Sequence, residues 1–335
     1  MTELQKLIEE YNIPVTQINP YRNYWLVRTQ GGDYYDEFFH DNFIAINWDA
    51  FDNLEQFAQT EKALMLNEIE RRYPKEQPGR IYGQIFRFLF EINNGDIVMI
   101  PSKNSTHISF GIVKSETFIH EITESALDEN VCPFKKRRNV EWVKTVKRAE
   151  LDPYLYRMMQ SHHTINNAND YADVIDRTLH SFYVKNGKAH LVLKVKQDDE
   201  IAAVDLLEAL NNFLDIIPYV KDPMNEEKTY SKEVVDLKLR VQSPGIIEFI
   251  SQVAPWAVLG MGLALNYIVG GKIKGTFTKE RQEVEASSDG MLEKLLKIKQ
   301  HSDKHELKRI EEANKHSIEK LKIETPGENK KTSNE

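Results

Sequence analysis

Residues 249–271, FISQVAPWAVLGMGLALNYIVGG, run for 23 positions without a charge in a chain that is otherwise 29% charged. A bilayer-spanning helix needs about 20 predominantly apolar residues, so the length qualifies. Ser251, Gln252, Pro255 and Asn266 interrupt it, and Pro255 either kinks a helix or starts a second one after Ala254. Ala257, Gly260 and Ala264 fall on one side at small-residue spacing that permits close helix–helix approach. With Trp256 they are the candidate interface or membrane residues. The stretch IIEFISQV, after the Ser243-Pro244-Gly245 break, reads as the beginning of this helix. Lys272, Lys274, Lys279 and Arg281 follow, and the positive-inside rule would keep that flank cytosolic. A single span would then export everything before it. A buried core or oligomer interface is therefore the leading reading, a re-entrant or conditionally inserting element the second, and a true span the third.

Working outward, 335 residues suffice for two domains with separate cores. The net charge of −8 argues against a polyanion-coated protein, though not against a local basic patch. The single Cys132 excludes an intrachain disulfide and, with no signal sequence at the start, points to a cytoplasmic location. The opening MTELQKLIEEYNIP reads as a short amphipathic helix, with Leu4, Leu7, Ile8 and Tyr11 on one face.

In a first domain over 1–150, strands are expected at YRNYWLVRT, FIAINWD, IVMIPS, HISFGIVKS and VEWVKTVKR. One helix starts at Asp52 and runs to about Arg72, and IYGQIFRFLFEI forms another. Short strands joined by short turns suggest a small, strongly bent sheet or barrel with inserted helices.

The spaced group Trp25-Leu26-Val27-Arg28, Phe39, Ile44-Ala45-Ile46-Asn47-Trp48, Gly95-Asp96-Ile97-Val98, Pro101, Gly111-Ile112-Val113 and Arg138 to Trp142 resembles the PUA/EVE-like domain. That domain is found in Mrr-type restriction nucleases and other bacterial phage-defence proteins. The resemblance implies a barrel whose mouth takes a nucleotide or a modified base between aromatic walls. The nuclease half of those proteins is not evident in this sequence. The candidate ligand residues are Trp25, Arg28, Trp48, Ser102, Arg138 and Trp142. An aromatic face beside a guanidinium suits stacking and pairing of a base, while three core tryptophans are the plainer alternative. Lys135, Lys136 and Arg137 open the most basic run and suit phosphate contacts, or equally a solvated strand edge.

An α+β domain is expected over 151–245: a hairpin turning at Asn186-Gly187, an amphipathic helix over 201–220 with Ile201, Val204, Leu207, Leu210, Phe213 and Ile217 on one face, and a strand at VVDLKLRVQ. Two catalytic patterns occur there. Arg157 and His162 have the spacing of HEPN-type ribonucleases. Asp236 and Lys238 resemble the acid-x-Lys arm of metal-dependent nucleases, but the preceding strand lacks the second acid that would share the metal. No metal or cofactor pattern stands out, and the balance leans away from an enzyme. The apolar segment occupies 246–272, a polar helix or weak coiled coil 273–323, and a disordered tail 324–335.

The fold class expected is thus α+β: a PUA-like β-barrel, then a hairpin–helix–strand domain with an apolar helix and a helical tail. The function expected is a non-enzymatic phage-defence sensor that binds a nucleotide or a modified or single-stranded nucleic acid. It would oligomerise, or act on a membrane, through the apolar helix. A nuclease and a ligand-free interaction protein are the alternatives.

Overall fold

The chain divides between Pro20 and Tyr21 and again between Leu179 and His180. Tyr21–Leu179 is one unit, inserted into a discontinuous unit made of Met1–Pro20 and His180–Glu335. A single break near 150 is therefore not where the chain parts. The computed structural model describes residues 3–10, 13, 15–122, 131–197, 199–222, 225, 227–240, 245–270, 273–276, 283–286 and 301–326.

Helix α1 (Glu3–Glu10) and strand β1 (Thr16–Gln17) open the chain and belong to the discontinuous unit. The inserted unit then runs β2 (Tyr24–Val27), α2 (Tyr35–His40), β3 (Phe43–Ile46), α3 (Leu54–Gln59), α4 (Lys62–Arg72), α5 (Pro78–Phe86), β4 (Ile97–Pro101), β5 (His107–Val113), β6 (Phe118–Ile119), β7 (Lys136–Lys147), α6 (Tyr154–Met159), β8 (Ile165–Asn167) and α7 (Ala172–Leu179). The one helix expected from Asp52 to Arg72 is two, because Thr60 leaves α3 in extended backbone before α4 begins.

The sheet of this unit follows the path β3-β7-β5-β4-β2-β8, with β6 beside β7. Alternation along β2 sends Trp25 and Val27 to one core and Tyr24 and Leu26 to the other. Both faces are covered, which is why YWLV reads as a continuous apolar run. Between Phe110 and Gly111 the β5–β7 register shifts, Phe110 facing Lys144 and Gly111 facing Trp142. The additional residue on the longer strand bends it and curls the sheet. Gly111 is required there, since a Cβ would lie 2.3 Å from Val140 Cγ1 and 2.6 Å from the Trp142 ring.

Cys132 is fully buried in this unit, and its N–H donates to the Glu37 carboxylate at 2.8 Å. Burial pushes its thiol up to about 12, so near neutral pH it is both covered and protonated. A maleimide at about pH 8 should leave the native protein unlabelled and, after denaturation, label the single cysteine. Rapid native labelling would contradict this placement.

The discontinuous unit continues with β9 (Phe182–Lys185), β10 (Lys188–Val195), α8 (Ala203–Leu214), β11 (Asp236–Arg240), β12 (Gly245–Ser251), α9 (Pro255–Ile268), β13 (Ile273–Thr276), β14 (Glu283–Ala286), α10 (His301–Lys320) and β15 (Ile323–Glu324). Its larger sheet runs β1-β9-β10-β12-β11, with β15 also paired to β10. The β9–β10 hairpin turns at Asn186 and Gly187, both at positive φ, as the Asn-Gly dipeptide requires. On α8 the buried stripe is Ala209, Leu210 and Phe213, whereas Val204 and Leu207 face solvent.

The stretch at 249–271 is split between two elements. GIIEFIS is a strand rather than a helix start: β12 pairs with both β10 and β11, with Ile247 and Phe249 in the main core and Glu248 on the opposite face. Pro255 then occupies the first turn of α9, where its missing N–H costs nothing. At 14 residues α9 is about 21 Å long, short of the bilayer's roughly 30 Å. Among the described residues no helix is long and apolar enough to cross a membrane. Trp256, Ala257, Gly260 and Ala264 are all buried within this unit. A Cβ on Gly260 would lie 2.3 Å from Val220 Cγ1, so the small residue serves close packing inside the chain. Gly271 and Lys272 lie outside the described residues, as do Ser243, Pro244 and the tail from 327 onward.

The range expected to be one polar helix or weak coiled coil, 273–323, holds the β13–β14 pair as well as α10, and α10 packs on its own unit. α10 buries Ile310 and Ile318, and the Asn314 amide donates to the Asn212 carbonyl at 2.9 Å. Glu324, expected in a disordered tail, instead pairs with Lys194 in β15.

Candidate functional site

Trp48 marks the site because its backbone is in the left-handed region, φ 66° and ψ 48°, which a bulky side chain rarely adopts. Three groups hold it there. Its N–H donates to Asn47 Oδ1 at 2.7 Å, and its carbonyl accepts from Lys136 Nζ at 3.0 Å and from the Phe51 N–H at 3.0 Å. Lys136 has no solvent exposure and also donates to Asp49 at 3.1 Å. Burial lowers the Lys136 pKa while the Asp49 charge opposes that shift.

A cavity of about 270 Å³ opens beside Trp48, near the lower limit of small-molecule pockets. The end of β2 supplies Arg28 and Gln30, the end of β3 Asn47 and Trp48, and the approach to α5 Glu76. Arg80 and Gln84 come from α5, Phe134 precedes β7, and His162, His163 and Thr164 form the turn into β8. Gln30, at φ 53°, is a second left-handed residue in the wall. Strain of this kind concentrates at ligand sites.

Arg28 builds the wall more than it faces the cavity. Its Nη2 donates to the carbonyls of Met159 and Ser161, tying down the end of α6 and the turn that carries the histidines. Its N–H donates to the Thr164 carbonyl at 2.8 Å, and burial lowers its pKa. Gln84 is 3% exposed, and its Oε1 accepts from the Ile165 N–H at 2.5 Å. A second cavity of about 450 Å³ shares Arg80, Gln84 and His163 and continues along α5 past Gly79, Gly83 and Arg87 to Asn166 and Asn167. Arg80 meets Glu76 at 3.0 Å and Arg87 meets Glu91 at 3.7 Å, both as exposed pairs of small worth. A guanidinium carries five N–H donors, so these contacts leave donors for an anion.

A family model described as a domain of unknown function (DUF8426) matches residues 23–169. The matched segment lies inside the inserted unit and contains every residue of both cavities. No curated protein and no solved structure matches the chain.

Of the residues singled out in the sequence, Arg28, Trp48 and His162 meet at the cavity. The others lie elsewhere. Trp25 is 1% exposed, its Nε1 donating to Asp96 at 2.9 Å. Trp142 donates to the Phe38 carbonyl at 2.9 Å and stacks on Phe39. Ser102 Oγ accepts from the His107 N–H within the β4–β5 turn. The basic run points largely inward: Arg137 donates to the carbonyls of Phe134 and Cys132, and Arg138 to those of Phe88, Ser115 and Leu89. Lys135 pairs with Asp52 at 3.6 Å.

Arg157 is exposed on α6 and does not line the cavity, and His162 lies beyond that helix, so the HEPN-like pair is not assembled on one helix face. Asp236 and Lys238 are exposed on β11, where Lys238 lies opposite Glu248, itself 2.9 Å from His190. Among the described residues no three His, Cys, Asp or Glu side chains are grouped to hold a metal ion. The sequence reading gave no binding role to Asn47 or His163 and passed over Arg80, Gln84, Arg87 and Phe134. The usable signals were the paired glycines of PGRIYG and the turn-forming Asn and Asp on either side of Trp48.

Proposed function

We propose that the inserted unit recognises a nucleotide, free or within a nucleic acid, by taking its base into the Trp48 cavity. Trp48, held in a strained conformation by a buried lysine, carries this reading. Phe134 adds an aromatic wall, Asn47 and Gln84 add amide N–H donors for a base edge, Arg80 supplies positive charge for phosphate, and the two histidines add ring nitrogens that can hydrogen-bond. The curled sheet with its lateral cavity supports the PUA/EVE-like resemblance, and that resemblance supplies the setting, a sensor in bacterial phage defence. In this role the protein binds and does not cut.

Thermal melts of the full chain with each nucleoside 5′-monophosphate and with short oligonucleotides test the proposal. Ligand at about 100 times its Kd should stabilise the inserted unit by about 2.7 kcal/mol. Unchanged melting with every nucleotide and oligonucleotide would sink it and favour the ligand-free interaction protein.

A further inference from the structure

Helix α5 carries two glycines that the chain's own packing does not explain. A Cβ built on Gly79 or Gly83 meets nothing within 4 Å, and neither has a positive φ. At Gly111 and Gly260, by contrast, a Cβ would collide with neighbouring side chains. A glycine inside a helix is destabilising relative to alanine, so open space at Gly83 is a cost with no return in the fold. Both glycines line the larger cavity, where they leave the helix backbone bare toward it.

Gln84, lining the same cavity, points independently to a ligand. It is 3% exposed, it lines both cavities, and among the described residues its one hydrogen bond is the one its Oε1 accepts from Ile165. Its Nε2 is therefore a donor with no protein partner, at the junction of the two spaces. The rest of the side chain is buried and fixed by Ile165, so this donor is held at the cavity junction, ready for an acceptor oxygen of a ligand. Arg80 and Arg87 flank it on the groove side, seven positions and so about 10 Å apart along the helix axis. That separation is too long to clamp one phosphate and suits successive ones.

We propose that this groove holds the sugar–phosphate backbone of a single-stranded nucleic acid, pressed against the bare face of α5 at Gly79 and Gly83, with Gln84 at the point where one base turns into the Trp48 cavity. The inference rests on the base-binding reading above and narrows its ligand from a free nucleotide to a strand. Arg80 and Arg87 neutralise phosphates, His163 adds a ring nitrogen for hydrogen bonding, and the glycines permit an approach that any side chain would block.

Fluorescence anisotropy on the full chain tests it, using a short oligodeoxynucleotide, the matching oligoribonucleotide and the corresponding nucleoside 5′-monophosphate. At least one oligonucleotide should bind about tenfold or more tighter than the monophosphate, with a steeper loss of affinity as salt rises. The preference between the two oligonucleotides identifies DNA or RNA as the source. Gly83→Ala should raise the melting temperature yet weaken the oligonucleotide about tenfold, leaving the monophosphate unchanged. Arg87→Gln should weaken the oligonucleotide alone without that rise. Equal binding of strand and monophosphate, or Gly83→Ala that melts higher and binds the strand normally, overturns the groove and spares the base cavity. Strand binding that responds to Gly83→Ala but ignores Trp48→Ala overturns the base cavity and spares the groove. No binding of any ligand overturns both.

Discussion

Arg138→Met is expected to lower the stability of the inserted unit by about 3–5 kcal/mol, measured by denaturant unfolding followed through tryptophan fluorescence. Arg138 has no solvent exposure. Its Nε donates to the Phe88 carbonyl at 2.9 Å, and its Nη1 and Nη2 to those of Ser115 and Leu89 at 3.0 Å each. Phe88 and Leu89 lie in the π-type turn that extends α5 through Arg87–Glu91, where helix carbonyls run out of partners. The carboxylate of Glu116 is 3.7 Å away but largely solvated, so the carbonyl dipoles are the main compensation for the charge. Burial lowers the guanidinium pKa, and the group nevertheless stays a cation. Methionine keeps much of the volume but removes a donor from all three carbonyls, of which, among the described residues, that of Phe88 alone keeps a side-chain partner, Thr117 Oγ1 at 3.2 Å. Arg138→Lys should not restore stability, because a single ammonium does not reproduce the planar fork. A loss below about 1 kcal/mol for the methionine variant would mean that water satisfies those carbonyls instead.

Trp48→Ala is expected to weaken binding of the oligonucleotide about tenfold to a hundredfold, the usual worth of one base stacked on an aromatic ring. The same variant loses a side chain that is 6% exposed, so stability falls as well, and a comparison with glycine separates the two effects. Trp48→Gly should bind as poorly as Trp48→Ala but be more stable by about 1 kcal/mol, since glycine meets no steric cost at φ 66°. Trp48→Phe should recover most of the affinity. Titration and melting of the three variants side by side checks this. Unaltered binding by Trp48→Ala would make the indole a core residue and nothing more.

What the sequence made legible follows the reach of each signal. The Asn186-Gly187 hairpin, the strands of the inserted unit and the stop at Pro255 depend on a few neighbouring residues, and they are found where expected. IIEFIS was misread as helix because the apolar run beyond it masked its twofold alternation, and because Glu248 is buried beside His190, 58 positions away. Lys136, Arg137 and Arg138 look like a solvated basic patch until the carbonyls and the Asp49 that absorb them come into view, up to 88 positions away in the chain. The site suffers most from this. Arg28 and Trp48 could be suspected one at a time, but Gln84 gains its meaning only from Ile165, 81 positions on, which occupies one half of its amide.

The discontinuous unit has a consequence for the order of synthesis. β1 pairs in parallel with β9, Thr16 beside Tyr183, so the whole inserted unit is made between the two partners. Tyr21–Leu179 holds its own cores and can fold as it emerges, while the segment before it waits. Thr16 and Gln17 are made before the inserted unit and find their partners Tyr183 and Val184 only after Tyr21–Leu179 has been made.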